Sequence, residues 1–186
     1  MRSSNSIRFR LSTWVSLCFL VVSSTAVAFE KKNISADAVQ ALSKSLYEKI
    51  SADQFRPDLL IGVARGGLIP LGYLAHETMF DIRDILTLSV QSYEGEKQTT
   101  LQMNLPMPEQ GLDKYKSILI IDDIADSGKT FDFVLKQVQA KFNNAVIKTA
   151  SLYYKKRSII KPDYYVEETA DWIVFPWEIQ EVGASN

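Results

Sequence analysis

The chain has 186 residues, of which 46% are hydrophobic and 23% charged, with a formal net charge of −1; this is the composition of one globular domain with a proper core. A balanced charge argues against a nucleic-acid-binding protein that works through bulk electrostatics. The chain holds one cysteine, Cys18, and one histidine, His76, which excludes a Cys/His zinc site, a disulfide framework and a Cys–His nucleophile pair.

Residues 1–28 differ in composition from the rest of the chain. They carry three arginines and no acidic residue, and an apolar run at 11–22 is followed by small residues up to Ala28. This layout is typical of a secretory signal peptide, and the apolar run is short for a membrane span, which needs about 20 residues. We treat 1–28 as a leader: a signal-like segment, an uncleaved anchor or the product of a misassigned start codon.

The body of the chain alternates between helical and strand-like segments. It opens with a predicted helix at 35–51, in which Ser35 is a suitable N-cap residue and apolar residues recur every four positions. The segments that follow are strand 59–63, helix 68–78, strand 85–90, a polar loop 92–104, strand 117–121, helix 130–142 and strand 145–153. This alternation predicts an α/β fold, with a mostly parallel twisted sheet that helices cover on both faces. Ligands bind beyond the carboxyl ends of such strands, which places loops 64–67 and 122–129 on one rim.

The segment 118–130, ILIIDDIADSGKT, combines groups that suit a phosphate monoester. Gly128 lets backbone amides approach an anion, and the helix that starts there presents free N–H groups and a partial positive charge. The hydroxyls of Ser127 and Thr130 are further donors. The segment therefore predicts a phosphate-binding loop.

Two adjacent acids, Asp122 and Asp123, end the buried strand before this loop. Like charges at about 4 Å repel by roughly 4 kcal/mol at an intermediate dielectric, and a sugar diol, a hydrated Mg²⁺ or a basic side chain would relieve that repulsion. A simpler interpretation is a capped helix after a polar turn, with Asp126 or Ser127 as the N-cap. A Walker loop would need a glycine five positions before Gly128, where Asp123 stands.

With its apolar run, paired acids, third acid, small residues and threonine, ILIIDDIADSGKT resembles the thirteen-residue signature of type I phosphoribosyltransferases. IGVARGGLIPLGYLAHE resembles their pyrophosphate loop and the helix after it, and SYEGEKQ resembles their flexible catalytic loop. YYKKRS and DWIVFPWE resemble the base-binding segments of bacterial xanthine–guanine phosphoribosyltransferases. The resemblance covers 31–178, leaves 179–186 as a C-terminal tail, and implies the type I phosphoribosyltransferase fold with a small base-binding hood.

The resemblance implies a purine phosphoribosyltransferase, which transfers ribose 5-phosphate from Mg²⁺-bound phosphoribosyl pyrophosphate to xanthine, guanine or hypoxanthine and releases pyrophosphate. The alternatives are a non-catalytic regulatory protein of the same fold that binds phosphoribosyl pyrophosphate, and an enzyme with another acceptor. We expect a homo-oligomer, a dimer or a tetramer, and no nucleic-acid partner. We also expect a cytoplasmic location, because the donor is intracellular; membrane association would require the leader to be an anchor.

The resemblance also implies roles for residues of the phosphate loop. Asp122 and Asp123 match the acids that engage the ribose hydroxyls and the metal shell. Asp126 matches the catalytic acid that exchanges a proton with the purine near N7. The residues around the ribose 5-phosphate are Ala125, Asp126, Ser127, Gly128, Lys129 and Thr130.

The other implied site residues contact the leaving group, form the flexible loop or bind the base. They are Arg65, Gly66 and Gly67 in the pyrophosphate loop, Ser92 and Tyr93 in the flexible loop, and Lys155, Trp172 and Ile173 at the base. The resemblance also makes the Ala64–Arg65 peptide a candidate for the cis form. Because the sequence around Lys155 departs from the family's usual Lys-Pro, either Lys155 or Lys156 faces the base. Trp177 and Glu178 match a Pro-Trp-acid ending with a structural role.

Overall fold

A computed structural model describes residues 30–94, 99–106 and 111–178. The leader and the C-terminal tail of the sequence analysis lie outside these ranges. The elements in chain order are β1 (Lys31–Asn33), α1 (Ala36–Ala52), β2 (Leu59–Ala64), α2 (Leu68–Leu74), β3 (Asp84–Glu94), β4 (Thr99–Asn104), a short 3₁₀ helix (Leu112–Lys114), β5 (Ser117–Ala125), α3 (Lys129–Lys141), β6 (Val146–Tyr154), β7 (Tyr164–Glu168) and β8 (Trp172–Val174). None of the helices described is long and apolar enough to cross a membrane.

The main sheet has the strand order β4-β3-β2-β5-β6-β7. All neighbouring strands in it are parallel except β3 and β4, which are antiparallel. The central strands β2 and β5 carry continuous apolar runs, at 59–61 and 118–121, that are fully buried. Such runs form where helices cover both faces of a parallel sheet, and the predicted mostly parallel sheet is confirmed.

Alternate side chains of the central strands point into two separate hydrophobic clusters. Leu60 and Leu119 pack with buried residues of α1 and α2 on one face. Leu59 and Ile118 pack with buried residues of α3 on the other face. The helices therefore lie on both faces of the sheet, as the alternation of segments predicts.

The ends of the first two helices follow from local contacts. Ser35 is the N-cap of α1, as predicted, and its hydroxyl oxygen accepts a hydrogen bond from the Ala38 amide at 3.1 Å. The prediction that the second helix reaches residue 78 is wrong, because α2 ends at Leu74. The chain turns there and brings Phe80 into the core against Tyr47, with ring centroids 5.4 Å apart.

The predicted polar loop at 92–104 is also wrong. Strand β3 continues to Glu94, and β4 pairs with it in antiparallel register, with Ser92 opposite Leu101. The signal for β4 is the alternation of Leu101 and Met103 with polar neighbours, and Met103 packs against the α3-side cluster. This period of two is weak, because β4 has only six residues. Residues 95–98 lie outside the described ranges.

A second, two-stranded sheet stands apart from the main one. It consists of β1 and β8 in parallel, with Lys32 opposite Ile173. The Trp172 amide donates to the Glu30 carbonyl at 2.8 Å, and the Ile34 amide donates to the Val174 carbonyl at 2.9 Å. We call this pair of strands the hood. It joins the first described residues of the chain to nearly the last.

Candidate active site

Three segments with polar side chains meet at one edge of the main sheet. Loop 64–67 follows β2, residues 122–125 form the end of β5, and Lys155 directly follows β6. Because β2, β5 and β6 are consecutive neighbours and parallel, their carboxyl ends lie side by side. The structure therefore brings the two predicted loops to one rim.

The paired acids lie inside β5, which continues beyond the predicted end at residue 121. The Asp123 amide donates to Asp122 Oδ1 at 2.9 Å. Burial, and then the charge of Asp123, raise the pKa of Asp122 well above its ordinary value of 3.8. Burial, and then the charge of Glu178, raise the pKa of Asp123 to about 6, although a hydrogen bond from the Trp177 side chain opposes the rise. Each acid keeps some solvent contact, but protein atoms crowd the carboxyl groups, and a bound cation would relieve this unfavourable state.

The pyrophosphate loop of the sequence prediction lies directly against the acids. The Ala64–Arg65 peptide is cis, as expected, and the Gly67 amide donates to the Val63 carbonyl at 2.8 Å. A Cβ atom at Gly66 would lie 2.2 Å from an Asp123 carboxylate oxygen. Only glycine therefore fits at position 66 while Asp123 keeps its place.

A cavity of about 700 Å³ opens between the pyrophosphate loop and the end of the described chain. Its lining residues come from the loop, α2, β5 and the segment after β8: Arg65, Gly66, Leu68, Ile69, Asp123, Trp177 and Glu178. Trp177 and Glu178, for which only a structural role was predicted, face the paired acids. The available signal was the acid in the Pro-Trp-acid ending. A segment that only packs against its neighbours does not need a charged residue, so the acid indicated a role at the site.

The predicted phosphate loop joins β5 to α3. Ala125 is the last residue of β5, and its carbonyl accepts from the Lys155 amide at 3.0 Å. Gly128, with a φ of 73°, is the N-cap of α3 and has no side chain to cap it, while Ser127 Oγ accepts a long hydrogen bond of 3.4 Å from the Lys129 amide. The simpler interpretation, with Asp126 or Ser127 as the N-cap residue, therefore does not hold. The first turn, with Lys129 exposed and Thr130 half-buried, has free N–H groups of the kind that bind phosphate.

Gly128 has a further role that the sequence did not suggest. A Cβ atom there would lie 2.2 Å from Ser158 Oγ and 2.8 Å from the Ile160 amide nitrogen. The Ser127 carbonyl accepts from the Ile159 amide at 3.0 Å. The segment 155–160, which we call the base loop, therefore packs directly on the phosphate loop.

The predicted base-binding residues Lys155 and Trp172 lie close to Asp126 and to each other. Lys155 is buried, and its Nζ lies 3.4 Å from Asp126 Oδ2 and 5.7 Å from the centroid of the Trp172 ring. Trp172 is 54% exposed, so its ring is available for stacking. Ile173 lies between two residues whose backbones bond to β1, so its own N–H and C=O point to the opposite edge of β8.

The structure distinguishes between the two adjacent lysines. Lys156 is exposed and forms an ion pair with Glu168 at 3.0 Å, so Lys155 is the lysine that faces Trp172. Arg157 also reaches the site, since its Nε donates to Asp126 Oδ1 at 2.7 Å. The sequence analysis did not assign a role to Arg157.

The flexible-loop residues lie at the far side of the rim. Ser92 and Tyr93 belong to β3, in which Ser89 pairs with Ala64 at the end of β2. Strand β3 therefore extends beyond the end of β2 and carries both residues past the rim. Their backbones are described, and their contacts with a ligand stay a prediction.

Fold and rim together define an α/β protein that offers a helix N-terminus, paired acids and an exposed aromatic ring to one ligand. The phosphoribosyl transferase domain family matches residues 27–181, and the chain belongs to this family. The xanthine-guanine phosphoribosyltransferase of Cereibacter sphaeroides is 36% identical over 123 residues, which are 64% of this chain and 68% of that protein.

Solved structures agree with this membership. A purine phosphoribosyltransferase from Pyrococcus horikoshii superposes with a TM-score of 0.67 at 36% identity, covering 82% of this chain and 97% of that one. The xanthine-guanine-hypoxanthine phosphoribosyltransferase of Helicobacter pylori superposes with a TM-score of 0.71 at 28% identity, covering 81% and 95%. The predicted type I phosphoribosyltransferase fold is thus confirmed.

Proposed function

We propose that the chain is a purine phosphoribosyltransferase that transfers ribose 5-phosphate from phosphoribosyl pyrophosphate to an oxopurine. The observation that carries the proposal is the contact chain from Asp126 to Lys155 to Trp172, beside the free N-terminus of α3. It brings a carboxylate, a buried cation and an exposed aromatic ring together beside the predicted phosphate site, as binding of a purine nucleotide requires. The names of the similar proteins support the same substrate class.

The reaction forms one bond and breaks one. A purine ring nitrogen bonds to C1 of the ribose as the bond from C1 to the pyrophosphate oxygen breaks, and pyrophosphate leaves with the electron pair. The proton that the purine loses near N7 passes to Asp126. Lys155 contacts the exocyclic oxygen of the base, and Trp172 stacks on its ring.

Mg²⁺ is part of the proposal, with Asp122 and Asp123 as the residues that would hold it. When bound, the ion neutralises charge on the diphosphate. The donor set fits, because Mg²⁺ takes one or two carboxylates together with substrate oxygens and water. A cage of protein ligands alone does not fit, since the described residues contain no group of three or more His, Cys, Asp or Glu side chains that could hold a metal.

Assembly and location complete the proposal. The assembly we propose is a homo-oligomer, a dimer or a tetramer, as the family resemblance implies. A cytoplasmic location follows from the intracellular donor. Gel filtration tests the first point, and mass spectrometry of the native N-terminus tests the second. A chain that begins at Phe29 and is recovered outside the cytoplasm would contradict the location.

The activity is tested by incubating the purified protein with phosphoribosyl pyrophosphate, Mg²⁺ and, in separate reactions, xanthine, guanine and hypoxanthine. Nucleotide and pyrophosphate should form in equal amounts with at least one base. A folded sample that forms no nucleotide with any of them would contradict the proposal. Binding of phosphoribosyl pyrophosphate without turnover would indicate the regulatory protein instead.

A further inference from the structure

We infer that Arg157 is a positioning residue for the proposed reaction: it fixes Oδ1 of Asp126 and leaves Oδ2 free to accept the purine proton. The inference rests on the proposed function. It concerns a residue of the base loop to which the family resemblance assigns no role. It depends on the contacts around Asp126, on the exposure of its two cations and on the backbone that holds them.

The two oxygens of the Asp126 carboxylate have different partners. Arg157 engages Oδ1 through Nε at 2.7 Å and through Nη2. Lys155 Nζ is 3.4 Å from Oδ2, a distance at the long end of the hydrogen-bond range. The same ammonium lies over the Trp172 ring, so Oδ2 is the oxygen on the side of the base.

The two cations also differ in what a bound base does to them. Lys155 contacts the exocyclic oxygen of the base in the proposed reaction. Its ammonium then has two partners, the base oxygen and Asp126 Oδ2. Arg157 contacts Asp126 from the base loop, and its side chain is 55% exposed. Arg157 can therefore hold Oδ1 throughout the reaction, while Lys155 and Oδ2 turn to the substrate.

The backbone on both sides holds this pair in place. The Lys155 amide donates to the Ala125 carbonyl, and the Ile159 amide donates to the Ser127 carbonyl, each at 3.0 Å. In the phosphate loop the bonded residues lie on either side of Asp126, and in the base loop they lie on either side of Arg157. The contact is thus built into the packing of two loops, unlike an isolated ion pair between mobile surface side chains.

A fixed carboxylate matters because proton transfer requires a defined geometry. A reacting group is effective when it is held within about 0.5 Å and 10–20° of its productive position. Both guanidinium donors, Nε and Nη2, lie in one plane and meet the same oxygen, Oδ1, so they fix the position of that oxygen, and the backbone at Asp126 then limits where Oδ2 can lie. The ammonium of Lys or the amide of Gln at position 157 would hold the carboxylate oxygen less firmly.

The pair should contribute little to folding. Both side chains are at least a third exposed, so solvent screens their attraction and the ion pair adds little to stability. Replacing Arg157 should therefore leave the unfolding midpoint nearly unchanged, so that a loss of turnover reports on the reaction.

The test compares Arg157→Gln and Arg157→Lys with Lys156→Gln, which removes the same charge from the neighbouring position. Arg157→Gln should lower kcat/KM for the base by about tenfold, mostly through kcat, and Arg157→Lys should recover part of the loss. The KM for phosphoribosyl pyrophosphate, and all constants of Lys156→Gln, should stay within about twofold of the parent. An Arg157→Gln enzyme with kcat/KM within about twofold of the parent would overturn the inference.

A second comparison separates positioning from a general structural effect. In an Asp126→Asn background, Arg157→Gln should change kcat/KM by less than about twofold, because the proton acceptor that Arg157 positions is gone. An equal loss in both backgrounds would show that Arg157 does not act through Asp126.

A third measurement distinguishes failure of the inference from failure of the proposed function. The Nε–H proton of Arg157 should give a protected NMR resonance in the parent, and its position and protection should both change in Asp126→Asn, because a neutral amide oxygen is a weaker acceptor than a carboxylate. If the parent makes no nucleotide with any purine, the proposed function fails, and the positioning role fails with it, whatever the resonance shows. If the parent is active but the resonance is absent or insensitive to Asp126→Asn, the inference alone is overturned.

Discussion

At the scale of single residues, the glycine of the phosphate loop is constrained from two directions. Its φ of 73° at Gly128 is one that side chains with a Cβ rarely adopt. The base loop also occupies the position that a Cβ would take. The sequence suggests the first constraint, through the helix start that follows. The second depends on a contact between loops thirty residues apart, for which no local pattern exists.

Gly128→Ala should lower the free energy of unfolding by about 2–4 kcal/mol, from the left-handed backbone and the collision with the base loop together. Chemical denaturation of the ligand-free protein measures the change. Gly72→Ala is the matched control, because Gly72 lies in α2 and an added Cβ there meets no atom within 4 Å. That control should raise the free energy of unfolding by about 0.5–1 kcal/mol. Equal effects at the two positions would contradict the assigned contact.

Asp126 is the residue on which the proposed chemistry depends most directly. Asp126→Asn keeps the size of the side chain but removes the proton acceptor, so kcat should fall by about 10²–10⁴. Binding of phosphoribosyl pyrophosphate should change little, since the paired acids and the start of α3 remain. Single-turnover rates and calorimetric titration measure the two effects separately. Unchanged turnover would refute the proton-transfer role of Asp126.

At the scale of elements, the hood links the beginning of the described chain to the base site. Trp172 is held by the bond from its amide to the Glu30 carbonyl, and Ile173 lies opposite Lys32 of β1. Strand β1 therefore fixes the strand that carries the predicted stacking ring. Strand β1 thus supports the predicted base-binding strand through backbone bonds.

Deleting the chain up to and including Asn33 should raise the KM for the base by about tenfold or more, because β8 loses its neighbour and Trp172 its fixed position. The KM for phosphoribosyl pyrophosphate should stay nearly constant. A chain that begins at Phe29 retains β1 and is the control, with both constants unchanged. Steady-state kinetics with each substrate varied in turn measures the difference. A deletion that leaves the KM for the base unchanged would show that β8 keeps its position alone.

The predictability of the elements follows from their length and burial. Strands β2 and β5 contain continuous apolar runs and β6 is mostly apolar, so these strands could be predicted from local pattern. Strands β1 and β8 have three residues each, and their pairing is between distant parts of the chain, so no local pattern indicated them. The same holds within the site. The phosphate loop is a contiguous motif, whereas Arg157 reaches Asp126, and Glu178 reaches Asp123, only through folding.

At the scale of the whole molecule, Asp122 and Asp123 lower the stability of the ligand-free protein when they ionise, and their charges are the ones that the proposed substrate binding requires. Burial raises the pKa of Asp123 from 3.8 to about 6, and the pKa of Asp122 is also raised. The folded state therefore binds protons more tightly than the unfolded state. As pH rises from about 4 through 6, the unfolded chain is already ionised while the folded acids resist ionisation, so the free energy of unfolding falls with rising pH. Asp53 and Asp84, with lowered pKa values, act in the opposite direction, but below this window.

Asp123→Asn should remove the part of this dependence that comes from Asp123 and from its charge beside Asp122. The free energy of unfolding of the parent should fall by about 1–2 kcal/mol between pH 5 and pH 8 on account of the acids, and that of the variant by clearly less. Denaturation at both values with EDTA present measures the two slopes, and Asp81→Asn, at an exposed acid before β3, is the control that should keep the parent's slope. Adding Mg²⁺ and phosphoribosyl pyrophosphate at pH 8 should stabilise the parent by mass action and the variant much less, because the ligand supplies the cation that the buried carboxylates lack. Equal slopes for the parent and Asp123→Asn would mean that Asp123 ionises in the folded protein as it does in the unfolded chain, and the acids would then impose no such conflict between stability and binding.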